Sequence, residues 1–215
     1  MGPPEPQLSP AGSHLPQDIE EVGNVLLLAP ALERKADEAC MRLLTPVPPE
    51  AETVLYVTFT NSADDRLSHW RTHATGPPAG AGVVCVGELA RSAGAIADGA
   101  EAGMNTSVGV ETVTDPADLT GLGIAINRFI DRWADNDRKV VVCFDSITTL
   151  LQYADLERAF RFLHVLTGRV RSAGALAHYH MDPSAHDEGD KNTLMAVFDA
   201  VVSVDDDGEL VVVSR

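Results

Sequence analysis

Five short apolar runs, separated by segments with helical periodicity, constrain the fold more than any other feature of the 215 residues. The runs are rich in β-branched and aromatic residues and are apolar on both faces, which is typical of strands buried in a parallel sheet. They lie at 25–29, TVLYVTF (53–59), GVVCVGE (82–88), KVVVCF (139–144) and ALAHYH (175–180). The alternation predicts an α/β fold with three layers, in which helices cover both faces of a mostly parallel sheet.

Apolar residues at helical spacing predict the helices between these strands. The predicted helices cover 32–43, 63–73, a segment that begins at Asp115-Pro116, a region from 147 to about 172 that is broken near Asp155, and 192–198. The closing pattern VVSV-DDDG-ELVVV predicts a C-terminal β-hairpin. We expect one domain over residues 21–215, preceded by a flexible proline-rich tail over residues 1–20. The Gly/Ala-rich segment 91–109 predicts a surface loop.

The charge balance is strongly acidic. Asp and Glu number 32 against 16 Lys and Arg, which gives a formal net charge of -16, and only three of the basic residues are lysines. An acidic, lysine-poor surface keeps a protein soluble where salt screens charge, so the pattern indicates a salt-loving organism. An ordinary acidic protein is the alternative. Direct nucleic-acid binding is not expected, because it requires clustered Lys and Arg.

Cysteine usage and hydropathy indicate a cytoplasmic protein. Cys40, Cys85 and Cys143 each lie in an apolar context without a CxxC pairing, which predicts reduced, buried thiols. No run approaches the roughly 18 apolar residues of a membrane span, and the N-terminus lacks the features of a signal peptide. We therefore expect no membrane partner.

The stretch LLLAPALERKAD (26–37) has the outline of a phosphate-binding loop, with a strand, a turn, a lysine and a helix. In the frame G-x-x-x-x-G-K-[ST], Lys35 is in place, whereas Ala29, Arg34 and Ala36 replace both glycines and the hydroxyl residue. Arg34 would fill the volume of the phosphates, and Ala36 cannot hold Mg²⁺. Arg34 and Lys35 could still reach an anion at the helix N-terminus. Alternatively, they form the solvated first turn of an amphipathic helix.

A second nucleotide-site pattern is KVVVCFDS (139–146), which has the form of a Walker B strand. Asp145 at its end would orient Mg²⁺, with Ser146 beside it. Either side chain could equally cap the helix that follows. Arg34, Lys35, Asp145 and Ser146 together are the candidate residues of a vestigial nucleotide site.

NVLLLAP, TVLYVTF and KVVVCFDSITTLL, followed by a long helix and a strand led by Gly174, resemble the RecA/KaiC-type ATPase core. The resemblance covers about residues 22–205 and is closest to the degenerate haloarchaeal branch, which includes HTR-like proteins and domains of unknown function. It implies a three-layer α/β/α domain with a mostly parallel sheet of P-loop topology and a C-terminal β-hairpin.

In active members of this superfamily, a Glu near the end of the second strand activates the attacking water. The matching region here is 59–62, and it has no carboxylate before Asp64. The phosphate cradle, the metal hydroxyl and the catalytic acid are thus all altered. The resemblance therefore implies that hydrolysis is lost, and we assign no catalytic residue.

The segment HYHMDPSAHDE (178–188) carries a separate candidate site. His178 and His180 are two apart on a strand and share a face, and Asp182 and His186 follow at the predicted ligand-binding edge. Imidazoles with a carboxylate suit Zn²⁺ or another transition metal. Hydrogen-bonded histidines at a strand end are the alternative, and zinc is the less favoured interpretation.

The sequence therefore favours a catalytically degenerate RecA/KaiC-like domain with a regulatory, signalling or scaffold role. We expect it to act through a protein partner, with self-association as one form, and to carry no resident cofactor. Two alternatives stay open. One is a nucleotide-binding protein or weak ATPase that uses ATP and Mg²⁺ in an altered loop. The other is a metal-dependent enzyme centred on the HxHxD segment.

Overall fold

The computed structural model describes residues 22–30, 34–87, 108–134, 137–205 and 208–214. The predicted tail at 1–20 and most of the predicted loop at 91–109 lie outside these ranges. The strands are β1 Asn24–Leu28, β2 Glu52–Thr58, β3 Gly80–Val86, β4 Val108–Val113, β5 Lys139–Asp145, β6 Leu176–Met181, β7 Ala200–Val204 and β8 Leu210–Ser214. The helices are α1 Arg34–Leu44, α2 Ala63–His73, α3 Leu119–Trp133, α4 Ile147–Leu150, α5 Leu156–Ser172 and α6 Glu188–Met195.

The described strands form a single sheet in the order β4-β3-β2-β5-β6-β1-β7-β8. The strands from β1 to β7 pair in parallel, and only β8 runs antiparallel, against β7. β5 lies between β2 and β6, and β6 separates it from β1. The carboxyl ends of β1, β2, β5 and β6 therefore meet at one edge, where ligands of such sheets bind.

Two apolar cores, one on each face of the sheet, make the fold three-layered. On one face, α1 and α2 pack against side chains such as Val54 and Val141. On the other face, α3 and α5 pack against side chains such as Leu55 and Val142. Neighbouring residues of one strand thus belong to different cores, because successive strand side chains point to opposite faces. The predicted three-layer α/β fold, with a mostly parallel sheet and a C-terminal β-hairpin, is confirmed.

The turn of the C-terminal hairpin lies against α1. Arg42 in the last turn of α1 donates a 3.4 Å hydrogen bond from Nη1 to the carbonyl oxygen of Gly208. Its Nη2 also lies 2.9 Å from the Glu209 carboxylate. The hairpin therefore contacts the last turn of α1.

The aromatic ring of Phe129 on α3 packs directly against two glycines of the sheet. Gly82 of β3 and Gly109 of β4 are register partners, and the Phe129 ring of α3 lies directly over both. A Cβ at these positions would lie 2.6 Å and 2.8 Å from Phe129 Cε1, closer than real Cβ contacts come. The two glycines therefore allow the ring to approach the strand backbone.

The sequence prediction missed β4, which is an edge strand. Most of its residues are half-buried, and Glu111 on it pairs with Arg128 of α3 at 3.0 Å. An edge strand with one open side does not need the continuous apolar run that marks a central strand. VGVETV consequently carries little of the pattern that identified the other strands.

Two helix starts also differ from the prediction. The third helix begins at Leu119, where Asp118 accepts a hydrogen bond from the Gly121 amide; Asp115 instead accepts from the Ala117 amide and closes the preceding turn. α6 begins at Glu188 under an Asp187 cap and ends at Met195. Several carboxylates near each helix start can accept a hydrogen bond from a backbone amide, and the sequence pattern does not show which of them caps the helix. The predicted break at Asp155 is confirmed, since this residue caps α5 through the Arg158 amide.

No helix among the described residues is long and apolar enough to cross a membrane.

Candidate functional site

The predicted nucleotide-site residues lie at the carboxyl edge of the sheet, where the helices that follow β1 and β5 begin. Arg34 is the first residue of α1, and Lys35 lies half-buried in its first turn. Ala36, at the position of the metal-binding hydroxyl, is buried in the core between α1 and the sheet. Its methyl group gives no ligand for a cation.

Ser146 caps the short helix α4. Its Oγ accepts a 3.1 Å hydrogen bond from the Thr149 amide and lies 3.0 Å from the Thr149 hydroxyl. Capping satisfies backbone donors that a helix start leaves without partners. The alternative interpretation of Ser146 as a helix cap is therefore the one that the geometry supports.

Asp145 is ion-paired with Arg66 of α2, a contact that the sequence analysis missed. The Arg66 side chain is 8% exposed and the Asp145 side chain 22%. The guanidinium also lies 6.0 Å from the centroid of the Tyr56 ring. A cationic side chain therefore faces the carboxylate that matches the Walker B acid.

A closed turn follows the end of β2, in the region where the sequence resemblance implied the position of a catalytic Glu. The Thr58 hydroxyl donates to the Asn61 carbonyl oxygen at 2.9 Å and accepts from the Asn61 amide at 3.0 Å. The nearby Asp65 carboxylate forms a capping box with Ser62 at the start of α2. Asp64 is exposed in the first turn of the same helix. Neither carboxylate lies on the strand end itself.

The four residues predicted as a metal site do not converge. His178 and His180 share a face of β6, with ring centroids 5.1 Å apart. Asp182 instead accepts hydrogen bonds from the amide and hydroxyl of Ser184, at 2.9 Å and 2.6 Å. His186 places Nε2 3.0 Å from the hydroxyl of Thr148 on α4. The loop after β6 is thus attached to α4, away from the two strand histidines.

Two cysteines join His178 and His180 in place of Asp182 and His186. Cys40 Sγ lies 3.2 Å from His178 Nε2 and 3.7 Å from Cys143 Sγ. Cys143 Sγ lies 3.6 Å from His180 Nε2. The four donor atoms all lie within 4.8 Å of one another. Among the described residues, this is the one group of His, Cys, Asp or Glu side chains close enough to share a metal ion. We call these four residues the Cys₂His₂ cluster.

Strand register builds the cluster. Cys143 of β5 is the register partner of His178 on β6 and of Tyr56 on β2. Two residues further along their strands, Asp145 and His180 lie in the next row on the same face of the sheet. Cys40 comes from the inner face of α1, which covers this part of the sheet. Three elements that are distant in sequence therefore meet at one point.

Burial and the contacts among these side chains together set the protonation of the cluster. Cys40, Cys143 and His178 are buried, and His180 is half-buried. The hydrogen bond with Cys143, together with burial, raises the pKa of the Cys40 thiol well above its usual value. Burial also acts to raise the pKa of Cys143, but the hydrogen bond from Cys40 and the two imidazoles outweigh it, so that pKa is lowered well below its usual value. Burial lowers the pKa of His178 and favours the neutral imidazole.

Residues 22–204 match the model of the family of unknown function DUF7504. The chain belongs to this family. Comparison with curated proteins gives no match.

Similar solved structures include a protein of Pyrococcus horikoshii OT3 that was studied as Project ID PH0250. It is 11% identical with a TM-score of 0.56, over 89% of this chain and 86% of that chain. The flagellar accessory protein FlaH of Methanocaldococcus jannaschii is 13% identical with a TM-score of 0.48, over 90% of this chain and 79% of that chain. At such identities the likeness to the Pyrococcus protein shows the fold alone.

The Arg66–Asp145 pair gives a stability prediction for this DUF7504 chain. Arg66→Met keeps much of the apolar stem but leaves a largely buried carboxylate without its cation, and we expect it to lower the free energy of unfolding by about 3 kcal/mol. Arg66→Met combined with Asp145→Asn should recover most of that loss. Denaturant unfolding at fixed salt measures both effects.

The exposed pair Arg128–Glu111 provides the matched control, because its arginine side chain is 62% exposed. Arg128→Met should cost about 1 kcal/mol or less. Equal losses for Arg66→Met and Arg128→Met would contradict a structural role for the buried pair.

Proposed function

We propose that this DUF7504 chain is a RecA-like domain that does not hydrolyse nucleotide and that acts as a regulatory, signalling or scaffold protein. The observation that carries the proposal is the ion pair between Arg66 and Asp145. In a working P-loop site, the Walker B acid orients Mg²⁺, so its carboxylate must face a metal and not a guanidinium.

The other catalytic positions support the same proposal. Ala36 stands buried where a hydroxyl would hold the metal, and the turn after β2 is closed by Thr58 and Asn61 without a carboxylate. The metal-binding hydroxyl and the catalytic carboxylate are thus absent from these positions, while Asp145 is engaged by Arg66. Restoring one of these three features would leave the other two unsuited to hydrolysis.

Nucleotide tests separate this proposal from the altered-loop alternative. Purified full-length chain, in molar salt with Mg²⁺, should release no phosphate from ATP, and its melting temperature should be the same with and without ATP. Lys35→Ala should behave identically, and Mg²⁺ alone is the control. A nucleotide present at 100 times its Kd would raise the melting temperature by roughly 5–10 °C. A rise of that size that disappears in Lys35→Ala would establish a nucleotide-binding protein and favour the altered-loop alternative, whereas phosphate release from ATP would refute the proposed loss of hydrolysis.

A groove between α3 and α5 supports a role through protein contacts. It has a volume of about 510 Å³, and Ile124 and Val165, which are 50% and 71% exposed, contribute apolar surface. Arg158, Arg161 and Arg169 line it against a single carboxylate of the lining, Asp118. Arg161 pairs with Glu157 at 3.5 Å and Arg169 pairs with Asp131, and both are exposed ion pairs whose carboxylate an incoming acidic group can replace. We propose that the groove takes an acidic segment of a partner protein with an apolar face.

Matched valine variants test the groove. Val165→Asp should abolish cross-linking to a partner in lysate of the source organism, whereas Val213→Asp on β8, with 51% exposure, should retain it. The cross-linked peptide of the partner should be acidic. Equal capture by both variants, or a basic cross-linked peptide, would contradict the assignment of the groove.

We also propose that the protein comes from a salt-loving organism, on the basis of its net charge of -16 and its three lysines. Its three free, buried cysteines support the further proposal that it works in the cytoplasm. Salt screens the repulsion among exposed carboxylates. The melting temperature should therefore rise steadily between 0.1 M and 2 M KCl by roughly 10 °C or more, which corresponds to a few kcal/mol. A melting temperature that is independent of KCl would indicate an ordinary acidic protein.

A further inference from the structure

The donor atoms of the Cys₂His₂ cluster have the spacing of a tetrahedral zinc site. With Zn–S near about 2.3 Å and Zn–N near about 2.0–2.1 Å, two sulfur ligands lie about 3.8 Å apart, and a sulfur and a nitrogen about 3.5 Å apart. The two sulfurs here are 3.7 Å apart, and two of the sulfur–nitrogen distances are 3.2 Å and 3.6 Å. These three separations match a shared central ion to within a few tenths of an ångström, and all four donor atoms lie within 4.8 Å of one another.

We propose that Cys40, Cys143, His178 and His180 bind one Zn²⁺ ion in a closed, structural site. Two thiolates and two neutral imidazoles form one of the common ligand sets of structural zinc. This set differs from the one predicted from the HxHxD segment, because the cysteines replace Asp182 and His186.

Charge balance favours a divalent ion at this position. Two thiolates and one Zn²⁺ sum to zero, and the adjacent Arg66–Asp145 pair is already neutral. Burying an uncompensated charge is costly, so a monovalent ion with two thiolates would be the poorer match. Soft thiolates also favour zinc over the hard cations Mg²⁺ and Ca²⁺.

The site is structural and not catalytic. A catalytic zinc keeps one position open for water or substrate, whereas here four protein donors surround the centre. Three of the four side chains are buried, and only His180 is half-buried. This arrangement leaves no exchangeable position for a reaction.

The ion would attach α1 to the two strands at the middle of the sheet. Cys40 is the ligand from α1, Cys143 comes from β5, and both histidines come from β6. Nδ1 of His178 has no hydrogen-bond partner among the described residues. Packing and the cluster itself therefore hold this ring, and removal of the ion should loosen it. The site lies beneath α1 and stands whether or not the degenerate loop binds a nucleotide.

Metal analysis of the untagged full-length chain tests the proposal. The chain is purified under reducing conditions in molar salt, because a polyhistidine tag would itself bind metal. We expect about one zinc per chain, and removal of the zinc by a chelator should lower the melting temperature by about 10 °C. Refilling with Co²⁺ should give the visible bands of tetrahedral cobalt together with a sulfur-to-cobalt charge-transfer band.

Variants identify the ligands. Cys143→Ser and His180→Ala should each weaken Co²⁺ binding by more than about 100-fold, since removal of even a supporting residue commonly costs 10–100-fold. Because His180 is half-buried, its replacement should disturb folding less than replacement of the buried Cys143. Circular dichroism checks that each variant is folded. Cys85→Ser is the matched control, because Cys85 is a buried free cysteine on β3 that lies outside the cluster. It should retain full zinc content.

Three results would overturn the proposal. The first is a wild-type chain that neither contains zinc nor changes its melting temperature when Zn²⁺ is added. The second is equal metal content in folded His180→Ala and in Cys85→Ser, which would indicate adventitious binding. The third is a Cys40–Cys143 disulfide in the chain purified under reducing conditions.

Discussion

Parallel pairing of β5 with β2 and β6 is the constraint on which the site geometry depends. This pairing sets Tyr56, Cys143 and His178 in one row of the sheet. The next row on the same face contains Asp145 and His180. A shift of one residue in either pairing would turn the thiol or the imidazoles to the opposite face. The Cys₂His₂ cluster and the buried ion pair thus share a single structural origin.

The sequence was sufficient to predict the layers, most of the elements and the position of Asp145 at a strand end, because buried strands and amphipathic helices leave strong periodic patterns. It was also sufficient to place His178 and His180 on one face. It could not show that β6 lies beside β5, since strand order and register depend on contacts between distant residues. Cys40 and Cys143 were therefore interpreted as separate buried thiols.

The prediction that Asp182 and His186 join the strand histidines differs from the structure for the same reason. Asp182 and His186 are close to the strand histidines in sequence, but the chain turns immediately after β6 and engages Ser184 and Thr148. These two residues are thus close to the strand histidines in the sequence but not in the folded structure. Arg66 was overlooked for a related reason: one arginine in an amphipathic helix has no sequence mark that distinguishes a buried ion pair from a solvated position. Its burial follows from the contact of α2 with the sheet.

The packing of Phe129 on Gly82 and Gly109 has a consequence for the exposed side of strand β4. Phe129 of α3 packs against Gly109 and holds β4 on the sheet. The exposed part of β4 therefore does not need apolar side chains, and the strand can include Glu111. Acidic residues on a terminal strand disfavour strand addition by other chains. The outermost described strand on this side of the sheet is consequently a poorer template for another chain than an uncharged, apolar strand would be.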